Sequence, residues 1–570
     1  MERCAIPVSC TGQAAQLEEE RQLQEAIRLS MLKNKETTSS TPIPETTHVM
    51  KRKAEDELRK DDARTLRCSL SQSADLDKRA PLLASSSLSS FADGAFPSST
   101  VEGSKVNIAY PNGAVRITRT PGRRNAGNCV NLPVLIHKNQ LVSACIYAFY
   151  IADEELFRHL PLTHSSDTVP IYIGRDPNMD PMIHEACSQA GIVIKGKVTN
   201  KQLASINSNL GELYRALYGK NFHAFYAWSS GSSHSKILLL VYPGFLRIVI
   251  TSCNMMDIDT ELGDNHWYIH DVPELPSGER VTPSSFEAQL LEHLQALKVP
   301  DAFVDSIRGM YDYSTVKVHL VTSVPGTHAG PRAEKHGLLR LRRVVKDLGL
   351  DLRRKMREGG LQLEVCTASV GNLSAKWLDG FHDCALGRKY LEVVDGRCDV
   401  PDLKLFYPTV QDVKSADEVA QEGAANIGCH TRPWNSAPED IKRIFHRYES
   451  KDAGRLFHQK MILAYNPRDR TAAPYYVYIG SANLSQSAWG ALERDKKGNE
   501  ATCDLKLVKM TNLECGVVVP GHLIKDLLEH GTPSWRDGIV PYVQTANRYD
   551  LRKDKPWNDP RWVTGYEGDN

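Results

Sequence analysis

Hydrophobic residues are spread unevenly along this chain, and their spacing divides it into regions. Between residues 31 and 100, 19 of 70 residues are Ser or Thr and the only aromatics are Phe91 and Phe96. Such a segment buries too little apolar surface to offset its ordering entropy, so residues 1–105 read as a disordered leader. One stretch of that leader is patterned. Glu18-Glu19-Glu20 precedes Leu23, Ala26, Ile27 and Ser30, which share one face at 3.6 residues per turn behind an acidic first turn suited to the helix dipole. From residue 106 the pattern changes. Runs of β type at 170–174, 192–194, 236–241 and 246–251 alternate with helical periodicity over 200–217, which predicts α/β layering. A loop after 321–326 leads into a basic amphipathic helix over 338–348 and then a second α/β set. The expected boundary lies near Ser323, giving halves 106–323 and 324–570.

Composition narrows the class. With 570 residues, 41% hydrophobic and 24% charged, the chain is neither collagen-like, nor wholly disordered, nor a disulfide scaffold. Lys and Arg number 70 against 69 Asp and Glu, so a polyanionic partner would have to meet a local basic face and not a global field. The 13 cysteines form no CxxC and no zinc-type spacing, and their number is odd, which points to a reducing compartment, free thiols and no structural metal. The start carries no apolar signal region, and the greasiest stretch, 237–250, is broken by Pro243, Gly244 and Arg247. An intracellular, soluble protein with no membrane partner is expected.

The two ordered halves repeat one local design. His234-Ser235-Lys236 runs into an apolar strand, a Pro-Gly turn follows, and the returning strand ends in Ser252-Cys253-Asn254. His458-Gln459-Lys460 does the same, with an Asn-Pro turn, and ends in Ser481-Ala482-Asn483. The histidines lie 224 residues apart and the asparagines 229, so a duplication with a small loop difference accounts for both copies. Residues i and i+2 of a strand point the same way, and each HxK therefore projects an imidazole and an ammonium from one face. Two copies brought together give two His, two Lys and two Asn around one point. That set can hold a phosphoryl group without a metal or cofactor, one imidazole attacking phosphorus while the other protonates the leaving oxygen.

These motifs resemble the HKD pattern of the phospholipase D superfamily, whose two halves form a pseudo-dimer around one active site. The aspartate five residues after each HKD lysine is replaced by Val241 and Tyr465. That departure is similar to one branch, the tyrosyl-DNA phosphodiesterases of the 3′ type. Further marks of the branch are Gly480 to Ser485 running into Ala488-Trp489-Gly490-Ala491-Leu492-Glu493, then Leu513 to Val517, Val540-Pro541-Tyr542 and Lys555-Pro556-Trp557. The leader helix likewise resembles a ubiquitin-interacting motif, spanning 18–31, with Leu23, Ala26, Ile27 and Ser30 as the ubiquitin-binding face.

The resemblance implies a fold of two similar α/β sandwich halves and a metal-independent DNA repair hydrolase. Its substrate would be the 3′-phosphotyrosyl bond left by a stalled topoisomerase I, on single-stranded or duplex ends. It implies His234 as nucleophile, forming a phosphohistidine, and His458 as general acid and then base. Lys236, Lys460, Asn254 and Asn483 would hold the phosphate oxygens, and Glu514 would orient one of the two histidines. Asp264 or Asn265 is the expected counterpart of Glu514 in the first half. Ser369, Val370, Gly371 and Asn372, with Ser485, would contact DNA, and Tyr542 or Trp557 would stack on bases. Relatives often carry an aromatic four residues before the first histidine, where this chain has Ser230, so Phe225, Tyr226 or Trp228 is the expected substitute. The implied partners are 3′-blocked DNA, a topoisomerase I-derived peptide and ubiquitin, for a monomer in the nucleus; Lys51-Arg52-Lys53, beside Glu55, Asp56 and Glu57, reads either as an import cluster or as a solvated charge run. The basic residues of 338–348 read as a solvated face. The alternatives are another HKD phosphodiesterase acting on lipid or general nucleic acid, and a ubiquitin-binding scaffold with an inactive core.

Overall fold

A computed structural model describes residues 107–121, 126–162, 169–276, 282–388, 400–429, 431–495 and 505–559. The leader, including the face of Leu23, Ala26, Ile27 and Ser30, lies outside the described residues. No helix among those described is long and apolar enough to cross a membrane.

Two large mixed sheets carry the fold. The first contains β1 (Ala114–Thr118), β2 (Cys129–Val130), β3 (Ser143–Ala148), β4 (Ile171–Arg175), β5 (Phe222–Tyr226), β6 (Ile237–Tyr242), β7 (Phe245–Thr251) and β8 (His266–Pro273), in the order β2-β1-β8-β7-β6-β3-β4-β5. The second contains β9 (His319–Ser323), β10 (Gln362–Cys366), β11 (Leu403–Tyr407), β12 (Phe445–Arg447), β13 (Met461–Tyr465), β14 (Tyr476–Gly480) and β15 (Glu514–Pro520), in the order β12-β11-β10-β13-β14-β15-β9. Apart from β2, the two orders and all pairing directions coincide. Three parallel strands (β5-β4-β3, β12-β11-β10) continue into an antiparallel run (β6-β7-β8-β1, β13-β14-β15-β9). The duplication legible in two short motifs thus extends to seven strands in each half. This is the phospholipase D-like α/β fold.

The strands read as unbroken apolar runs because both faces are buried. Along β6, Ile237, Leu239 and Val241 enter the core shared with the second half, while Leu238, Leu240 and Tyr242 enter a separate core on the outer face. The shared core also takes Val365, Met461, Ile479 and Val517, and β14 and β15 lie against β7 and β8. The helix Asn200–Tyr218 is fixed by a capping box at Thr199 and Gln202 and ends where Gly219 takes φ 101°.

Some local expectations change. Residues 192–194 form no strand: they follow the helix Pro181–Gln189 without regular secondary structure, and Val193 is 72% exposed. A short apolar run cannot by itself distinguish a strand from a surface connection. His319–Ser323, assigned to the first half, pairs with β15 in the second sheet. The basic helix, Gly337–Asp347, packs Leu338, Leu339, Leu341, Val344 and Val345 into the core, and Arg342 is buried on Glu334 while Arg343 pairs with Asp347 and Glu334.

Candidate active site

Both HxK segments sit at the mouths of their sheets, and each is hydrogen-bonded to the opposite half. The amide of His234 donates to Leu513 O at 2.8 Å, in the approach to β15, and the amide of His458 donates to Asp264 O at 3.1 Å, in the approach to β8. This crossed pairing is what brings the two motifs to one place. The imidazole centroids are 6.3 Å apart and their planes stand at 82°. Each lysine ammonium donates to the carbonyl of its own histidine at 2.6 Å. Asn254 Oδ1 accepts from the amide of Tyr150 at 3.4 Å, and Asn483 Oδ1 accepts from the amide of Ser369 at 3.0 Å. The amide groups are thereby oriented through their oxygens, which leaves the NH2 groups as donors.

Each histidine also has a carboxylate at Nδ1, again from the other half. His234 Nδ1 lies 3.2 Å from Glu514 Oε2 and 3.0 Å from Ser481 O, two acceptors that fix the proton on Nδ1 and leave Nε2 with a lone pair. Glu514 is held by the Ser481 hydroxyl at 2.5 Å and by Asn512 Nδ2 at 3.0 Å. The histidine that Glu514 faces, left open in the sequence, is therefore His234. His458 Nδ1 stands 2.8 Å from Asp259 Oδ2, which also accepts from the amide of Asn254, while Asp259 Oδ1 accepts from Asn426 Nδ2.

Asp259 corrects the expectation of Asp264 or Asn265 as the counterpart of Glu514. By position Asn265 is the counterpart: Ser252 donates to it at 2.7 Å as Ser481 donates to Glu514. Its amide, however, is spent on the carbonyl of Asp259 at 2.9 Å. Asp264 faces away, accepting from Tyr448 and Ser450. The carboxylate that reaches His458 comes instead from a π-helical turn, Ile258–Leu262, inserted between Asn254 and β8. Spacing gives no signal for such a turn.

All of these groups are buried, and burial sets their charge. Burial and the neighbouring Lys236 pull His234 down to about 3, with Glu514 opposing. Burial takes His458 down to about 4, with Asp259 opposing, and Lys460 down to about 7; Lys236 is also held well below the usual lysine range by burial and by Lys460. Burial pushes the Asp259 carboxyl up, but His458 and Lys460 together hold it below its ordinary range. The site thus holds neutral imidazoles between two carboxylates and two lysines whose charge is easily lost. An anionic phosphodiester placed there favours the cationic forms of all four basic groups. Among the described residues no group of three or more His, Cys, Asp or Glu could hold a metal ion.

The remaining candidates are scattered around this centre. Ser369–Val370 is a short strand on Gly428–Cys429, Gly371 N donates to Leu484 O, and Asn372 is exposed beside them. Ser485 caps the turn Gln486–Trp489 by accepting from Ala488. These residues flank Asn483 and form one rim. Tyr542 is fully buried against Phe406 and Tyr448 and donates to Glu364, so it presents no face to a base. Trp557 is half-buried with its indole on Ala424 O. Of the aromatics before His234, Phe225 and Tyr226 are buried, whereas Trp228 is 41% exposed and tied through its indole to Val198 O.

Comparison with known proteins gives a consistent picture. The tyrosyl-DNA phosphodiesterase family model matches residues 114–558. Tyrosyl-DNA phosphodiesterase 1 of Arabidopsis thaliana is 28% identical over 287 residues, covering 47% of this chain and 44% of that protein. The Drosophila melanogaster protein of the same name is 26% identical over 352 residues, covering 57% of each. The chain thus spans about half the length of these two curated relatives. The crystal structure of yeast tyrosyl-DNA phosphodiesterase shares the fold at a TM-score of 0.52 and 15% identity, covering 78% of this chain and 100% of that one. The chain belongs to the tyrosyl-DNA phosphodiesterase family.

Proposed function

We propose that this chain hydrolyses the bond between a 3′ DNA phosphate and the tyrosine of a stalled topoisomerase I through a phosphohistidine intermediate. The observation that carries the reading is the crossed arrangement of two HxK motifs. Each imidazole is backed by a carboxylate from the other half, so both present Nε2 to one point.

His234 is neutral, with its proton held on Nδ1, and Nε2 attacks phosphorus in line with the tyrosyl oxygen. The P–O bond breaks and the phenolate takes a proton from His458 Nε2. Asp259 at Nδ1 and the incoming anion favour the imidazolium that this step needs. In the second step a water attacks phosphorus, His458 takes its proton, and the P–N electron pair returns to His234. Lys236, Lys460, Asn254 and Asn483 supply donors for the equatorial oxygens, the electrostatic role that cations play elsewhere. The product is a 3′ phosphate.

The rim of Ser369, Val370, Gly371, Asn372 and Ser485 is the proposed DNA contact. The leader face of Leu23, Ala26, Ile27 and Ser30 is proposed to bind ubiquitin, and the protein to act in the nucleus; both rest on residue pattern and family likeness. The test is conversion of an end-labelled oligonucleotide bearing a 3′ phosphotyrosine to the 3′ phosphate, with EDTA present. Conversion by the wild type and none by His234→Ala is expected. Undiminished conversion by His234→Ala would refute the nucleophile.

A further inference from the structure

We propose that Phe149 is a positioning residue that commits His234, and not His458, to attack on phosphorus. The inference rests on the phosphodiesterase reading above and starts from the near-symmetry of the site. Histidine, lysine, asparagine and serine recur in both halves, each lysine sits on the carbonyl of its own histidine, and each imidazole has a carboxylate at Nδ1. Some feature must therefore make one imidazole the nucleophile and the other the acid.

The asparagines locate one such difference. Asn254 accepts from the amide of Tyr150 and Asn483 from that of Ser369, so the residues just before, Phe149 and Ala368, occupy equivalent places after β3 and β10. One is a large aromatic and the other a methyl. Phe149 is 1% exposed, with its ring centroid 5.2 Å from the His234 imidazole at 53°. The Lys236 ammonium lies over the same ring, 5.4 Å from its centroid. Phe149 belongs to neither large core: with Tyr150 and Met179 it makes a small cluster of its own at the site, backed by Ala152 and Met256.

A ring in this place does two things for a nucleophile. It walls one side of the imidazole, which limits rotation and keeps water from the Nε2 lone pair. Its negative face also favours the ammonium of Lys236, in a setting where burial works against that charge. His458, which must meet a water in the second step, has no such aromatic wall: among the described residues its ring partner is His234 itself.

The test uses the full chain, Phe149→Leu and Phe149→Met, and single-turnover release of tyrosine from a 3′-phosphotyrosyl oligonucleotide. Met fills the space flexibly and serves where Leu does not fold. Release is expected to slow by about tenfold or more, as a displaced reacting group does, while the half-saturating substrate concentration changes by less than about threefold. Breakdown of the preformed phosphohistidine, which relies on His458, should keep its wild-type rate. Wild-type release by the variants, or equal slowing of both steps, overturns the inference. No release by the wild-type protein would instead refute the phosphodiesterase reading.

Discussion

Asp259→Asn isolates the residue that sequence spacing missed. The substitution is nearly isosteric, and an amide oxygen can still accept from the amide of Asn254, so the turn Ile258–Leu262 keeps its anchor. What is lost is one negative charge 2.8 Å from His458 Nδ1. Two unit charges about 4 Å apart interact by about 4 kcal/mol at an effective dielectric of 20, equivalent to about three units in the pKa of the imidazolium. Relaxation of nearby dipoles reduces that, and the expected loss in single-turnover tyrosine release is about 10²- to 10³-fold, within the range that general acids supply. The loss should depend on the leaving group. A 3′-(4-nitrophenyl phosphate) oligonucleotide, whose leaving group departs with little protonation, should lose less than about tenfold under the same conditions. Equal losses on both substrates, or a tyrosine rate within about threefold of wild type, would refute the assignment of Asp259 to the acid.

Other parts of the structure predict measurable effects. Burial holds His234 and His336 at about 3 and His270, His293, His382 and His458 at about 4, whereas the unfolded chain protonates near 6.5. The unfolded state then binds more protons between those values. Stability is therefore fully present above about pH 6.5 and falls toward pH 4, by up to about 1.4 kcal/mol per pH unit per group, and a flat urea midpoint across that window would contradict this. Gly480 and Gly516 face each other across β14 and β15, and a Cβ at Gly516 would lie 2.5 Å from the Tyr478 ring. Gly516→Ala should cost about 1–3 kcal/mol by overpacking and lower the Tm by about 1–3 °C, and an unchanged Tm would show that the ring yields freely. Deleting residues 1–104 should abolish binding to ubiquitin and leave cleavage intact; a loss of cleavage would give the leader a part in the reaction.

The site was legible wherever chemistry sat on a repeated strand pattern. His234, Lys236 and Asn254 and their counterparts recur at the ends of paired strands, with the HxK spacing fixed and the asparagine five residues farther on in the second half, and the strand pairing carries that pattern directly into space. Glu514 was identifiable as an orienting acid, but its partner depends on the exchange of carboxylates between halves, which linear order does not encode. Asp259 was hidden for a related reason, since it replaces Asn265, the residue in the equivalent position, through a turn whose length no periodicity announces. Tyr542 reads as a stacking surface in the sequence because an aromatic in a short motif shows its identity and not its depth. The second sheet's use of His319–Ser323 follows from an edge pairing between strands nearly two hundred residues apart in sequence, closing the second half as β1 closes the first.

The account turns on one covalent bond. Incubating His458→Ala with a 3′-phosphotyrosyl oligonucleotide, quenching, and mapping the modified peptide by mass spectrometry tests it most directly. Tyrosine should be released at a reduced rate and the oligonucleotide should persist as a phosphoramidate on His234, because water then lacks its base. Recovery of an adduct on any other residue, or turnover to free 3′ phosphate that His234→Ala does not impair, would contradict the central claim.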